Sequence, residues 1–397
     1  MMRSGGFELA TRRIERLRRS GLATIPLVAG LGLVIWATPA FAAHILPTVQ
    51  LVAASTTDPA IDDVIGMHHV ALGPQSERVG RLLVFLPGTT APPQIYSQLI
   101  EGAARQGYHA IGLAYVNPAA VNVLCFGMAA SGCHEKVRRE IILGTDETTL
   151  VNVDFDNSIV NRLDRLLAHL ESIAPNEGWD GYRNAVGQLR WERVVVAGHS
   201  QGAGHAAFIA RLESVARAVL FSGTEAAAWT QAGDFVTPAS NIWAFGHSLE
   251  AFISAFQSSW DNIGIPGIPT SVDGVGAPFG TSQQLTTSNT NCTGDPQANG
   301  FYHNCHCVDG FMPPPLPDGT PYFQYVWDEL FRFESTPAVP SLDPIGIGAL
   351  LLTLVLLSKW NLRQSTAGRI RVRPASIRTR PAAISRMASG SSRRSRA

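Results

Sequence analysis

Val194-Val-Val-Ala-Gly-His-Ser-Gln-Gly-Ala-Gly-His205 is the stretch on which the fold turns. Its first four residues are apolar and three are β-branched. A run without alternation reads as a strand buried on both faces, and such strands belong to parallel sheets covered by helices. Gly198-His199-Ser200-Gln201-Gly202 then makes a turn, and Ala203-Gly204-His205-Ala-Ala-Phe-Ile-Ala210 opens a helix with small residues. In a chain of 397 residues with 37 glycines, a bare Gly-x-Ser-x-Gly is cheap; its place between strand and helix gives it meaning. A serine raised on so sharp a turn sits at a strained backbone position, where glycine at the flanking sites, Gly198 and Gly202, avoids the clashes a Cβ would make. Ser200 is therefore a candidate nucleophile.

Outward from this turn the same alternation continues. Arg81-Leu-Leu-Val-Phe-Leu86 is a buried-strand run closed by Pro87-Gly88, and His109-Ala-Ile-Gly-Leu-Ala-Tyr115 is another. Ile159, Val160, Leu163, Leu166, Leu167 and Leu170 recur at helical spacing, and the shorter runs Ala218–Phe221 and Ile242–Phe245 follow the turn. At least five strands separated by helices or long connections predict an α/β domain over 76–335, its mostly parallel central sheet covered by helices on both faces. No repeat or long low-complexity linker interrupts it.

The strand, turn and helix around Ser200 resemble the α/β-hydrolase superfamily of lipases, esterases and depolymerases, and the resemblance covers about Val79 to Glu334. It implies a triad in the chain order serine, acid, histidine. The acid follows the second strand after the turn, which places it at Glu250 in Gly246-His-Ser-Leu-Glu250, with Asp261 and Asp273 as alternatives. The base falls at His303, in Tyr302-His-Asn-Cys-His306, and His306 stays open beside it. The oxyanion hole implied by the family takes the amides of Gln201 and of Thr89, with Thr90 second, in Leu86-Pro-Gly-Thr-Thr90, where the family more often shows His-Gly. His199, His205 and His247 read as packing or polar lining. The implied activity is hydrolysis of a small or polymeric carboxylic ester, with no cofactor and no metal. An acyltransferase on the same triad, or a catalytically silent surface-binding protein of this fold, are the alternatives.

Only 16% of the residues are charged, against about a quarter in an average globular domain. The formal charge is zero, yet it is unevenly spread. Residues 1–20 carry six arginines against Glu8 and Glu15, and 359–397 carry Lys359 and ten arginines with no acid. Residues 21–358 are left with 14 basic and 29 acidic groups, a net −15 that argues against a nucleic-acid partner.

Both basic ends flank apolar segments. Arginines, the uncharged run Gly21–Ala43 and the small-residue triplet Ala40-Phe41-Ala42 follow the grammar of a secretory signal peptide, expected over 1–42, ahead of a lead-in at 43–75. After a Pro-rich linker at 336–343, the run Ile345–Leu357 lies in an apolar segment, 344–361, followed by an Arg-rich tail, 362–397. With Val339-Pro-Ser-Leu342 ahead of it, this layout resembles IPTL-type C-terminal sorting tails of bacterial surface proteins. It implies export, a transmembrane tether and a sorting protease as partner, with the domain periplasmic or at the cell surface.

Five cysteines fit that compartment. Cys125 and Cys133 bracket a short loop and are expected to form a disulfide, while Cys292 is within reach of Cys305 or Cys307. A metal reading of His303, Cys305, His306 and Cys307 is disfavoured, because these residues are too crowded for paired ligands and would consume the base.

Overall fold

The computed structural model describes residues 46–63, 65–128, 132–231, 233–298 and 300–333. The strands are β1 (Thr48–Val52), β2 (His68–Leu72), β3 (Leu82–Leu86), β4 (His109–Gly112), β5 (Val194–His199), β6 (Arg217–Phe221), β7 (Ile242–His247), β8 (Thr270–Ser271) and β9 (Gln284–Thr287). The helices are α1 (Ala54–Thr57), α2 (Ser97–Arg105), α3 (Val121–Leu124), α4 (Cys133–Leu143), α5 (Ile159–Ile173), α6 (Gln201–Leu212), α7 (Ile253–Ile263), α8 (Phe301–Asn304) and α9 (Gln324–Leu330). The strands form one mixed sheet in the order β1-β2-β4-β3-β5-β6-β7-β9-β8. β2 is antiparallel to both β1 and β4, and every other neighbouring pair is parallel.

The central strands are the runs that the sequence marks as continuous apolar. Every residue of β3 and β5 is buried, so both faces of the sheet are covered. α5 begins where Ser158 Oγ accepts the Asn161 N–H at 3.2 Å, a side-chain cap for an otherwise orphaned donor. It then turns Ile159, Leu163, Leu166, Leu167 and Leu170 into the core. At about 25 cal/mol per Å² of apolar surface, each such leucine contributes roughly 1.5–3 kcal/mol before its ordering entropy is subtracted.

The segment 43–75, expected to precede the domain, instead supplies β1 and β2 to its sheet. β1 is exposed at four of its five positions, and β2 carries two histidines at its start, so neither shows the apolar run that marks a central strand. Among the described residues no helix is long and apolar enough to cross a membrane. The expected signal segment 1–42, linker 336–343, apolar segment 344–361 and tail 362–397 lie outside the described residues.

The strand order locates a crevice. β3 continues through α2 to β4 on one side, whereas its other neighbour β5 continues through α6 to β6 in the opposite direction. Between two strands whose connections leave in opposite directions, the carboxyl ends of an α/β sheet open into a ligand cleft. The segments at those two ends are Pro87–Thr90 and Ser200.

Candidate active site

Ser200 joins β5 to α6 with φ 55° and ψ −116°, a conformation that costs a non-glycine residue energy. The turn is held because its neighbours have no side chains. A Cβ on Gly202 would stand 2.0 Å from the Leu86 carbonyl oxygen, and one on Gly198 2.3 Å from the Gly202 carbonyl. The Ser200 N–H donates to the Phe221 carbonyl at 2.9 Å, pinning the turn to β6. Ser200 itself is half-buried, and Gly88 of the β3 loop lies against it: a Cβ on Gly88 would crowd His199 Nδ1 and the Tyr96 hydroxyl at 3.2 Å and the serine Cβ at 3.4 Å.

Glu250 and His303 meet. Nδ1 of His303 lies 2.6 Å from Glu250 Oε2, with the glutamate side chain 1% exposed and the imidazole 18%. Glu250 Oε1 accepts the Ser222 hydroxyl at 2.6 Å and the His247 backbone N–H at 3.1 Å. Each Glu250 oxygen has a polar partner, as a buried carboxyl group requires. The loop after β6, the loop after β7 and α8 thus converge on one carboxyl group. The His303 ring lies 4.6 Å from that of His199, the residue preceding Ser200. No hydrogen bond joins Ser200 Oγ to His303 among the described residues; in ligand-free sites such contacts are often long and tighten around substrate.

The alternatives to these residues are engaged elsewhere. His306 is fully buried, 6.0 Å from the Phe221 ring and 5.0 Å from that of Phe245, and its Nε2 bonds Ser222 Oγ at 3.2 Å. Burial, followed by the nearby histidines, holds its pKa well below the ordinary value. It therefore reaches Glu250 only through the Ser222 hydroxyl, whereas His303 meets the carboxylate directly. Asp261 accepts from Gln284 Nε2 at 3.2 Å, and Asp273 from Thr287 and Ser288 at 2.6–2.7 Å; neither bonds a histidine.

At the β3 loop, Thr89 Oγ1 donates to Gln201 Oε1 at 2.7 Å, so the two residues expected to line an oxyanion hole are tied side chain to side chain. The Gln201 N–H lies in the first turn of α6, where no intrahelical acceptor exists. Thr89 N–H likewise has no backbone acceptor among the described residues. Thr90 is different, since its N–H donates to the Asn117 carbonyl at 2.8 Å. Asn117 also donates its side-chain amide to the carbonyls of Gly88 at 2.6 Å and Ala91 at 3.1 Å, clamping the loop that Pro87 opens.

Beneath α6, Arg138 of α4 pairs with Glu225 and donates to the Gln201 carbonyl at 3.3 Å. Gly204 makes room for it, since a Cβ there would fall 2.2 Å from the guanidinium. His205, buried against Arg138, and His247, whose Nε2 bonds the Asn289 carbonyl at 2.8 Å, both have lowered pKa values caused first by burial. They fit the expected roles of packing and lining.

Two disulfides are present, Cys125–Cys133 and Cys292–Cys305. Cys307 is free and buried, and burial raises its thiol pKa well above the usual range. Two of the four residues of the metal reading offer no thiolate, since Cys305 is bridged and Cys307 is protonated, and His303 Nδ1 is held by Glu250. One grouping of metal-ligand type, His247 with Cys292 and Cys305, is no better placed. Its sulfurs are the Cys292–Cys305 disulfide, and His247 Nδ1 accepts the Leu249 N–H at 3.1 Å.

Sequence reasoning missed Tyr96, Asn117 and Ser222. Each acts through a contact to a residue far away in the chain, and none lies in a recognisable pattern. No protein-family model matches this chain, nor does any curated protein.

Proposed function

We propose that this protein is a serine hydrolase of the α/β-hydrolase type that cleaves a carboxylic ester. The observation that carries the reading is the strained, glycine-flanked Ser200 at the sheet's crevice, together with the 2.6 Å contact of His303, on α8, and Glu250, on the loop after β7. Ser200 Oγ attacks the ester carbonyl while His303 Nε2 takes its proton, and Glu250 holds the proton on Nδ1 so that Nε2 is free to accept. The developing oxyanion is met by the N–H groups of Gln201 and Thr89. Collapse expels the alcohol, which takes the proton from His303, and a water activated by the same imidazole then frees the acid and restores Ser200. This chemistry draws on the chain's own residues.

The two disulfides point to a location outside the cytoplasm, because such bridges persist in oxidising compartments. Export, a membrane tether through 344–361 and its processing by a sorting protease remain part of the proposal, tested by whether the full-length chain fractionates with membranes and a chain ending at Val339 does not.

The site is tested by a fluorophosphonate probe and a series of p-nitrophenyl esters. Labelling at Ser200, with ester cleavage lost in Ser200→Ala and in His303→Ala, is the expected result. An unlabelled wild-type chain would favour a silent binding protein. Product carrying an added alcohol in place of water would favour an acyltransferase.

A further inference from the structure

His199 lies between the β3 loop and α8, and its hydrogen bonds leave one arrangement of protons. Its Nε2 is 3.0 Å from the His303 carbonyl oxygen, which can only accept, so Nε2 carries the proton. A neutral imidazole then accepts at Nδ1, and the Tyr96 hydroxyl, 2.9 Å away, is the donor. The phenol oxygen in turn accepts the Gly88 N–H at 3.1 Å. One continuous chain of donors therefore runs from Gly88 through Tyr96 and His199 to the backbone of His303. The imidazole is buried, and burial followed by the neighbouring His303 holds its pKa well below the ordinary value. A second proton on the ring would make both nitrogens donors and break the link to Tyr96.

We infer that His199 is a positioning residue: its neutral ring sets the separation between the loop that carries Thr89 and the helix that carries His303. The inference rests on the catalytic reading of Ser200 and His303. α8 has four residues and the β3 loop has no regular structure, so bonds from side chains, rather than a helix or strand ladder, set where the two spans sit. Misplacing a reacting group by about 1 Å can cost roughly a hundredfold in rate. Asn117 fixes the Gly88 carbonyl and Tyr96 fixes its N–H, so the peptides on both sides of Gly88 are restrained.

The two arms are separable. His199→Asn places an acceptor where Nδ1 stands and keeps the Tyr96 arm, whereas His199→Gln places a donor where Nε2 stands and keeps the His303 arm. Tyr96→Phe removes the hydroxyl and little else. Each single variant should lose about tenfold in kcat with KM unchanged, the scale of one buried hydrogen bond. Tyr96→Phe should add less to His199→Gln, where the link from Tyr96 to His199 is already lost and only the Gly88 bond is left to remove, than to His199→Asn, where it removes both.

A second readout does not depend on turnover. The downfield proton resonance of the His303 Nδ1–H bond to Glu250 should shift in Tyr96→Phe, although the deleted hydroxyl bonds Gly88 and His199 alone. An unshifted resonance, with kcat within about twofold of wild type in Tyr96→Phe and His199→Gln, would reduce His199 to a space-filling ring. Should the wild-type chain neither label nor turn over, the hydrolase reading fails, and the resonance still decides whether the ring positions His303.

Discussion

Replacing Glu250 by glutamine would reverse the proton on His303. The carboxylate has two faces of different character: Oε1 receives the Ser222 hydroxyl at 2.6 Å and the His247 N–H at 3.1 Å, both donors, while Oε2 faces His303. A glutamine must turn its carbonyl oxygen toward the two donors, because the opposite orientation sets an NH₂ against an N–H and an O–H in a buried site. Its NH₂ then points at His303 Nδ1 and makes that nitrogen an acceptor. The ring proton moves to Nε2, the atom that has to take the proton of Ser200, and the base is blocked. Volume and burial barely change, so the loss should fall on chemistry. A wrong tautomer of this kind costs on the order of 10⁴ in kcat, or about 5.5 kcal/mol of barrier. Steady-state hydrolysis of a p-nitrophenyl ester measures it, with thermal melting as the control for folding. Retention of more than about a tenth of kcat would refute the triad, and a melting temperature so lowered that the variant is unfolded at the assay temperature would refute the tautomer argument.

Three further outcomes follow from the geometry. Gly202→Ala drives a Cβ to 2.0 Å from the Leu86 carbonyl and should cost roughly 1–3 kcal/mol or more along with activity, whereas Gly276→Ala, which meets nothing within 4 Å, should be silent in urea unfolding. Replacing both Cys125 and Cys133 by serine opens a loop of sequence separation 8 and should remove about 2–3 kcal/mol; an unchanged unfolding midpoint would mean the bridge is idle. Asp309 accepts from Ser97 and Gln98 at the start of α2, and burial pushes its pKa up to about 6. The fold therefore binds that proton more tightly than the unfolded chain does. The contribution is full below about pH 4 and fades as pH climbs through 6, so wild type should lose up to about 3 kcal/mol relative to Asp309→Asn across that window, and parallel pH–stability curves would contradict it.

The residues that were legible in sequence are those whose signal is local. Val194–Ala197 announces a doubly buried strand, and Gly198 and Gly202 announce the turn, because both effects act within a few residues. Glu250 and His303 are singled out only through the resemblance to the α/β-hydrolases, whose chain order places an acid and a histidine after the turn. The strands toward the ends of the sheet were hidden: β9, Gln284-Leu-Thr-Thr287, lies between β7 and β8 and is buried but polar, its glutamine bonding the Ile265 carbonyl at 3.0 Å. Hydrogen bonds supply there what apolar alternation supplies elsewhere. Ser222, Tyr96 and Asn117 were invisible for a related reason, since Glu250, His199 and Gly88, which they bond, lie 28, 103 and 29 positions away in turn. The choice of Cys305 over Cys307 as the partner of Cys292 was likewise a matter of tertiary placement.

That last choice bears on when the protein becomes active. The bridge from Cys292 to Cys305 encloses residues 293–304, so His303 lies inside a covalent ring, while Ser200 and Glu250 lie outside it. On the proposed mechanism, a newly made chain would carry its nucleophile and acid in place before its base was secured. Oxidation would then be the last step of maturation, and a latch as well: ester cleavage would begin only in a compartment where thiols pair, sparing the esters of the cytoplasm in which the chain is made. Quenching refolding at intervals and comparing the oxidised fraction with activity tests this directly. Full activity in chains whose Cys292 and Cys305 are still alkylatable would show that the ring closes for stability alone.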